Sequence, residues 1–406
     1  MSGGARRPFA LATMLRELGH SVDLAGPIGL DDHQAITVKH PTFPSRPDVA
    51  QPAKSVQIDP PLAKLARWAR IWLLLPDPEI RFAVRLMRAI KRSAKGGATW
   101  DWIITTSPPE SLHLMGALLK RALGCNWLVE ARDNWIEPPQ RAVLKASQMR
   151  RWIETFIARK SLRSADALVA VDSTVMNEYA PFCSPAVRKE IIGHFALPFD
   201  GEIEILPSQT FNIVHTGSFS LSNPLSQFTP LLESFESAAA RVPVLRLWLA
   251  GNLSEDETAS IARSAHRDKI ICLGAVSAHR ARALQLGADA LALVSGTEST
   301  AVPGKVSEYA LAGRPILLAA IGPWVDRLDP SLPLISWMDI GDHVVKDLNM
   351  SSPNRDKTAL YSDFRKAKDA YSQILTEANL PAATSEYDRF SLRAGSQRSR
   401  PNGPIN

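Results

Sequence analysis

The stretch STAVPGKVSEYALAGRPILLA, residues 299–319, decides how this chain is read. Pro303 suits the first position of a helix, where its missing N–H would have had no helical partner. Gly313 suits the residue just past the helix end, where the backbone turns left-handed. The run PILLAA at 315–320 then reads as a buried strand, as does ALALVS at 290–295 on the other side. A helix that opens directly after a strand presents its N-terminus at the carboxyl edge of the sheet, where it favours phosphate charge. Lys305 and Glu308, three apart, share one face of its first turns. Lys305 can neutralise a diphosphate while Glu308 accepts from ribose hydroxyls, as an acidic residue does in dinucleotide folds. The competing reading is a surface ion pair worth about 0.3 kcal/mol.

The same grammar runs outward in both directions. Upstream of the helix lie FNIVHTG at 211–217, LRLWLAG at 245–251 and KIICLG at 269–274. The first half has SVDLAG at 21–26, AITVKH at 35–40, WIITT at 102–106, WLVEA at 127–131, ALVAV at 167–171 and EIIGH at 190–194. Helical patterns stand at 6–19, 109–123, 147–163 and 173–182. Continuous apolar runs alternating with helices predict parallel sheets covered on both faces. The expectation is an α/β protein of two doubly wound, Rossmann-like domains whose cleft binds ligands at the carboxyl ends of the strands. Residues 1–195 form the first domain and 196–350 the second, divided at the turn-rich connector 195–210. Residues 351–390 supply a late helix, near 355–380, that packs back, and 391–406 read as a disordered tail.

Three further constellations carry chemistry. Gly3, Gly4 and Arg6 precede helix 6–19, and a glycine pair there lets backbone N–H groups approach an anion. TTSPPESLH at 105–113 and EARDNW at 130–135 end neighbouring strands, and deliver Ser107, His113, Arg132, Asp133 and Trp135 to one rim. An Arg–Asp pair beside Trp and His suits sugar hydroxyls, since carboxylates accept from them and an aromatic face packs on the ring. The alternative is a pair that ties down a loop, with His113 in the first turn of a helix. HTGSFS at 215–220 runs a strand into the turn at Gly217 and Ser218, as nucleotide folds do beside a diphosphate. Gly251 and Val276, after the next two strands, complete the donor-side set.

Composition excludes several classes. Apolar residues make up 45% and charged residues 22% of 406, which argues against a mostly disordered chain. Three cysteines, Cys125, Cys183 and Cys272, stand too far apart for a disulfide framework or a cysteine-rich zinc site. No uncharged apolar run approaches the ~20 residues that span a bilayer, and Arg16 and Glu17 interrupt the apolar start. A soluble, cytoplasmic protein is expected. The net charge is +6, yet residues 61–95 alone carry nine basic and two acidic side chains. Arg81, Arg85, Arg88 and Arg92 in that stretch fall on one helical face. Such a face reads either as an anionic membrane contact, peripheral at the inner leaflet, or as a solvated surface. Nucleic acid fits less well, because no aromatic platform or binding motif accompanies the charge.

GGARRPFALATMLRELGHSVDL at 3–24, SPP with a following His at 107–113, EARDNW, HTGSF and PGKVSEYALAGRPILLA together resemble glycosyltransferase family 4. The similarity is to the GT-B fold and to the bacterial polysaccharide-type branch with RDxW and PxKxxEY motifs, and spans roughly residues 1–345. It implies a retaining hexosyl-type transferase that needs no metal. The sugar would leave a nucleotide-diphosphate donor on the C-terminal domain for a polysaccharide or lipid-linked acceptor on the N-terminal one. By the resemblance Gly4, Gly217, Ser218, Gly251, Val276, Pro303, Gly304, Lys305 and Glu308 face the donor. Ser107, His113, Arg132, Asp133 and Trp135 face the acceptor, with Asp133, Arg132, Lys305 and Glu308 as the catalytic set.

Three departures from the pattern keep a second reading open, a transferase-like or truncated nucleotide-binding protein without turnover. Thr300 stands where the family often has the first of two glutamates, SFSLSNPLSQ at 218–227 holds no Arg or Lys, and no strand precedes Gly3. The last departure predicts a chain that begins downstream of a central strand, with a gap or shifted pairing in the N-terminal sheet. A nucleotide-sugar epimerase on the same fold accounts for the motifs less well.

Overall fold

The computed structural model describes residues 6–27, 35–38, 75–137, 148–199, 201–221, 226–296, 302–342, 344 and 362–377. Gly4, Thr300 and the tail 391–406 lie outside them.

The first half opens with α1 (Arg6–Glu17), followed by β1 (Ala25–Pro27), β2 (Ile36–Val38) and α2 (Ile80–Lys95). Then come β3 (Trp102–Ser107), α3 (Ser111–Leu123), β4 (Asn126–Ala131), α4 (Gln148–Leu162), β5 (Ala167–Ala170), α5 (Ser173–Tyr179) and β6 (Arg188–Ile191). β3, β4, β5 and β6 pair in that order as a parallel sheet. Its middle strand β5 is apolar without alternation, and all four of its residues are buried, because helices cover both faces. Gly124, left-handed at φ 71°, ends α3, and the Asp172 side chain caps α5 by accepting from the Val175 N–H at 2.9 Å.

The expected gap is present among the described residues. β1 and β2 pair only with each other, apart from the four-stranded sheet, and β3 pairs with β4 alone. Trp102, Ile103, Ile104 and Thr106 of β3 are partly exposed, whereas β4 next to it is buried from Trp127 onward. A side-chain bond, Trp100 Nε1 to Asp23 Oδ2 at 2.9 Å, links the residues ahead of β3 to those ahead of β1.

The second half contains β7 (Phe211–Thr216), α6 (Thr229–Arg241), β8 (Leu245–Ala250), α7 (Glu255–Arg263), β9 (Ile270–Cys272) and α8 (Ala278–Gly287). It continues with β10 (Ala290–Val294), α9 (Lys305–Ala312), β11 (Ile316–Ala319) and β12 (Leu334–Ile335). All six strands are parallel in the order β12-β11-β10-β7-β8-β9, so β7 and β10 lie side by side where the chain reverses direction across the sheet. That switch point is where ligands of open α/β sheets bind. Ser254 and Glu257 form a capping box on α7.

The last described helix, α10 (Ser362–Glu377), returns to the first half. Its Phe364, Tyr371 and Ile374 pack with Leu11, Met14 and Leu15 of α1 and with Leu128 and Val169 of the sheet. Inside this layer lies a buried ion pair. Arg7 Nε donates to Glu130 Oε1 at 2.8 Å, and the Tyr371 hydroxyl donates to the same oxygen at 2.6 Å. The remaining guanidinium nitrogens reach the Gly193 and Ile192 carbonyls at 2.7 and 3.0 Å, and the group lies over the Phe195 ring. Burial alone would push the Glu130 carboxyl up, but Arg7 and the Tyr371 hydroxyl outweigh it and hold it below the ordinary range.

Removing one member of such a pair strands a buried charge. Arg7→Met should therefore lower stability by about 3–5 kcal/mol, and the double variant Arg7→Met/Glu130→Gln should recover much of that loss. Because the folded-state pKa of Glu130 is depressed, the stabilisation holds at neutral pH and fades as pH falls through the carboxylate range. Thermal midpoints of the single and double variants are the check. A double variant no more stable than Arg7→Met would contradict this account.

Candidate donor and acceptor site

The donor side is built on close backbone approach. β7 ends at Thr216, and Gly217 follows with φ 102°, a conformation that favours glycine. The Gly217 N–H donates to the Ala250 carbonyl at 2.7 Å. A Cβ on Gly251 would lie 2.4 Å from the Gly217 carbonyl carbon and oxygen, so the turns after β7 and β8 touch backbone to backbone. A Cβ on Gly217 would lie 2.8 Å from Lys305 Nζ. The ammonium thus rests against the Gly217 turn at the carboxyl end of β7, and Lys305 is the first residue of α9.

Tyr309 sets the phase of that helix. Its hydroxyl accepts from the Thr216 N–H at 3.1 Å and donates to the Ala292 carbonyl at 3.4 Å, which ties α9 to both strands of the switch point. Glu308, one residue earlier, is half-buried. Its Oε2 accepts from Gln285 Nε2 at 3.2 Å, and the same nitrogen donates to Thr216 Oγ1 at 2.8 Å. Arg282 Nη1 donates to the Glu308 carbonyl at 2.8 Å. His215 Nδ1 lies 2.9 Å from the Ala292 carbonyl, and its ring stacks on Phe219. Burial, then the nearby Lys305 charge, push its pKa well below the ordinary value, so the ring is neutral and Nδ1–H is the donor.

One detail differs from the sequence expectation. Pro303 is not the first helical residue, because α9 begins at Lys305. The Val306 N–H reaches the Pro303 carbonyl at 3.0 Å, a three-residue turn that delays the regular helix. Gly313 ends it at φ 64°, as expected. Ser218 and Val276 are half-buried in the turns after β7 and β9.

The acceptor rim is organised differently from its sequence reading. Asp133 is exposed, and Arg132 beside it donates from Nε to the Ser107 carbonyl at 2.8 Å and from Nη2 to the Pro108 carbonyl at 3.2 Å. Ser107, His113 and Trp135 lie beneath the surface, each buried almost completely. Ser107 Oγ is 3.2 Å from the Tyr179 hydroxyl, and the His113, Trp135 and Tyr179 rings pack around one another with centroids 6.0–6.4 Å apart. His113 Nδ1 meets Thr105 Oγ1 at 2.8 Å, an oxygen that also accepts from Trp127 Nε1. Burial, with a smaller opposing pull from Glu130, brings the His113 pKa down to about 3. These three residues support the rim from below, and Arg132 and Asp133 are the members of the set that reach its surface.

Four residues escape the sequence reading. Glu178 of α5 holds the loop after Asp133, accepting from Asn134 Nδ2 at 3.0 Å and from the N–H groups of Trp135, Ile136 and Glu137 at 2.5–3.1 Å. Gln285 and Arg282 brace Glu308 from α8. His194, after β6, lies against the donor turn, its ring 3.6–3.8 Å from where a Gly304 Cβ would stand. Burial and the Arg7 and Arg132 charges lower its pKa to about 4. His194 thus joins the first half to the turn ahead of Lys305. A signal existed only for this histidine, in the glycine that faces it. The others share no spacing with the residues they hold.

Residues 2–193 match the family model of the Glycosyl transferase 4-like domain. No protein of curated function matches the chain in sequence. Among solved structures, sucrose-phosphate synthase from Thermosynechococcus elongatus is similar over 95% of this chain and 92% of its own, at 15% identity and a TM-score of 0.52. The HepE protein of Anabaena in complex with UDP covers 76% of this chain and 82% of its own, at 15% identity and a TM-score of 0.46. A trehalose-phosphate synthase from Burkholderia vietnamiensis covers 77% and 82%, at 10% identity and a TM-score of 0.45. The likeness to sucrose-phosphate synthase is one of fold: two Rossmann-like α/β units in the GT-B arrangement.

The buried histidines give a pH signature. Their folded pKa values lie below the ordinary one, so at mildly acidic pH the unfolded chain binds protons that the folded chain does not, and stability falls with pH. For His113, between an ordinary 6.5 and about 3, the loss from neutral pH to about pH 5 is roughly 2 kcal/mol. Denaturation at the two pH values should show His113→Gln less stable than wild type at neutral pH but with a shallower acid dependence. An unchanged acid dependence would contradict the assignment.

Proposed function

We propose that this chain is a glycosyltransferase that moves a sugar from a nucleotide-diphosphate donor to a glycan or lipid-linked acceptor, with retention at the anomeric carbon. The observation that carries the reading is the contact between Lys305 and Gly217: a fixed cation lies against a side-chain-free turn at the switch point of the six-stranded sheet. In this reading the diphosphate lies across the Gly217–Ser218 turn and the N-terminus of α9, where N–H groups and the ammonium converge. Glu308, held by Gln285, accepts from the ribose hydroxyls. Arg132 and Asp133 present the acceptor from the other rim, and His194 abuts the donor turn between them.

The chemistry follows from where charge develops. As the bond from the anomeric carbon to the diphosphate oxygen breaks, its electron pair stays on the diphosphate, and a preplaced cation stabilises that growing charge more than the ground state. The acceptor oxygen forms the new bond to the anomeric carbon and its proton passes to the departing diphosphate, which has gained the electron pair of the broken bond. Product stereochemistry, read by NMR of the anomeric proton, tests retention. Nucleotide binding without turnover is the second reading, favoured by SFSLSNPLSQ at 218–227, which offers no second cation. Slow donor hydrolysis in the absence of acceptor separates the two.

Three variants test the site, with a panel of nucleoside diphosphates in calorimetry and their sugars in turnover. Glu308→Gln should weaken nucleotide binding by about 1.5–3 kcal/mol, the range for a hydrogen bond to a charged group. Lys305→Ala should reduce turnover more than binding. Asp133→Asn should bind nucleotide normally and change acceptor use. Loss of nucleotide affinity in Asp133→Asn with full affinity in Glu308→Gln would reverse the assignment of the two halves.

A further inference from the structure

Helix α4 is built inside out. Toward the core it turns Arg150, Glu154, Ala158, Ser161 and Leu162, with the first two joined as a buried ion pair at 2.8 Å. Toward solvent it turns Met149, Trp152 and Phe156, which are 61%, 70% and 53% exposed. These three recur at positions i, i+3 and i+7, so they form one stripe opposite the core face. Trp152 and Phe156 stack with ring centroids 6.2 Å apart, and Lys160 Nζ lies 6.0 Å from the Phe156 ring centre. Large apolar side chains displayed together on a helix, while charges occupy its buried face, mark a surface that meets something other than water.

The surroundings of the stripe say what that is. Arg159, Lys160 and Arg163 are exposed at its C-terminal end, and Arg151 is exposed near its start, paired with Glu137. α4 packs on α3, and α3 packs on α2, which itself lies against β1 and β2, so the three helices follow one another in a row. Arg150 Nη2 donates to the Pro76 carbonyl at 3.0 Å, which fixes the start of α4 beside the segment that leads into α2. On α2 the core face is Phe82, Ala83, Leu86 and Ala89, and Arg81, Arg85, Arg88 and Arg92 are all exposed. Neither α2 nor the exposed face of α4 contains a carboxylate. A second copy of the chain would bring like charges together, whereas an anionic bilayer offers phosphates to the cations and an apolar boundary to the aromatic stripe. Tryptophan suits that boundary, with an apolar ring and one polar N–H.

We propose that the outer faces of α2 and α4 form one membrane-docking surface, in which Met149, Trp152 and Phe156 enter the headgroup boundary of an anionic bilayer while Arg81, Arg85, Arg88 and Arg92 bind lipid phosphates. Docking of this kind needs both signals, since neither a short apolar stripe nor a basic face holds firmly alone. It is independent of sugar transfer, and it would bring a lipid-borne substrate to the N-terminal half.

The test is sedimentation of the full chain with phosphatidylcholine vesicles, with and without about a quarter phosphatidylglycerol, across a salt series. Wild type should bind only the anionic vesicles, and salt should weaken it. Trp152→Ser/Phe156→Ser, and separately Arg85→Gln/Arg88→Gln, should each reduce binding roughly tenfold or more, with unchanged thermal midpoints and unchanged nucleotide binding. Trp152→Ser alone, at the most exposed of these positions, keeps the test open if the aromatic double variant folds poorly. The proposal is overturned if wild type fails to bind, if it binds neutral vesicles equally well, or if the aromatic variants bind as wild type does. It is overturned as well if wild type is a dimer in solution that the aromatic variants dissociate, which would make the stripe a protein interface.

Discussion

The pairing of Arg7 with Glu130 is the interaction around which the first half is arranged. Two opposite charges, 123 residues apart in sequence, meet in the dry layer between the sheet and its covering helices. Neither tolerates that position alone, since an unpaired buried charge costs several kcal/mol. The pair therefore dictates its own surroundings. The Gly193 and Ile192 carbonyls must turn inward to accept from the guanidinium, and Tyr371 must bring its hydroxyl to the carboxylate. The first described helix, the central strand, the end of β6 and the last described helix are thereby held at one point.

That point lies directly beneath the proposed site. Glu130 is two residues from Arg132, and Gly193 immediately precedes His194, whose ring faces Gly304. The anchor thus positions, through backbone, both the acceptor rim and the residue that touches the donor turn. A second layer, the His113–Trp135–Tyr179 cluster with Glu178 clasping the loop above, stiffens the same rim from the other face of the sheet. On the donor side the constraint is steric. Gly217 and Gly251 each lack the side chain that would otherwise hold a lysine away or separate two backbones. Preorganisation here means groups held in place before a ligand arrives, which is what makes them effective in a transition state.

The pattern of strands and helices was legible in the residues themselves. Strands in parallel sheets are apolar on both faces, so ALVA at 167–170 and ALALV at 290–294 announce themselves without periodicity. The left-handed turn at Gly313 was also readable, from backbone sterics. The place of Lys305 at the start of α9, against the turn that ends β7, was readable because a helix following a strand opens at the carboxyl edge of the sheet.

What the residues did not reveal was which side of the surface each polar group would occupy. Ser107 ends β3, His113 lies in the first turn of α3 and Trp135 lies in the loop after β4, but position along the chain alone does not say whether a side chain rises above the rim or drops beneath it. Tyr179 and Thr105, supplied by other elements, share hydrogen bonds with Ser107 and His113 from below and so draw them into the core. The same holds for α4, where an amphipathic count sees two half-apolar faces and the buried Arg150–Glu154 pair chooses between them. Sequence determines what each element is, because backbone conformation and apolar patterning are local. Tertiary structure decides what each side chain does, because hydrogen-bond partners and burial come from distant parts of the chain.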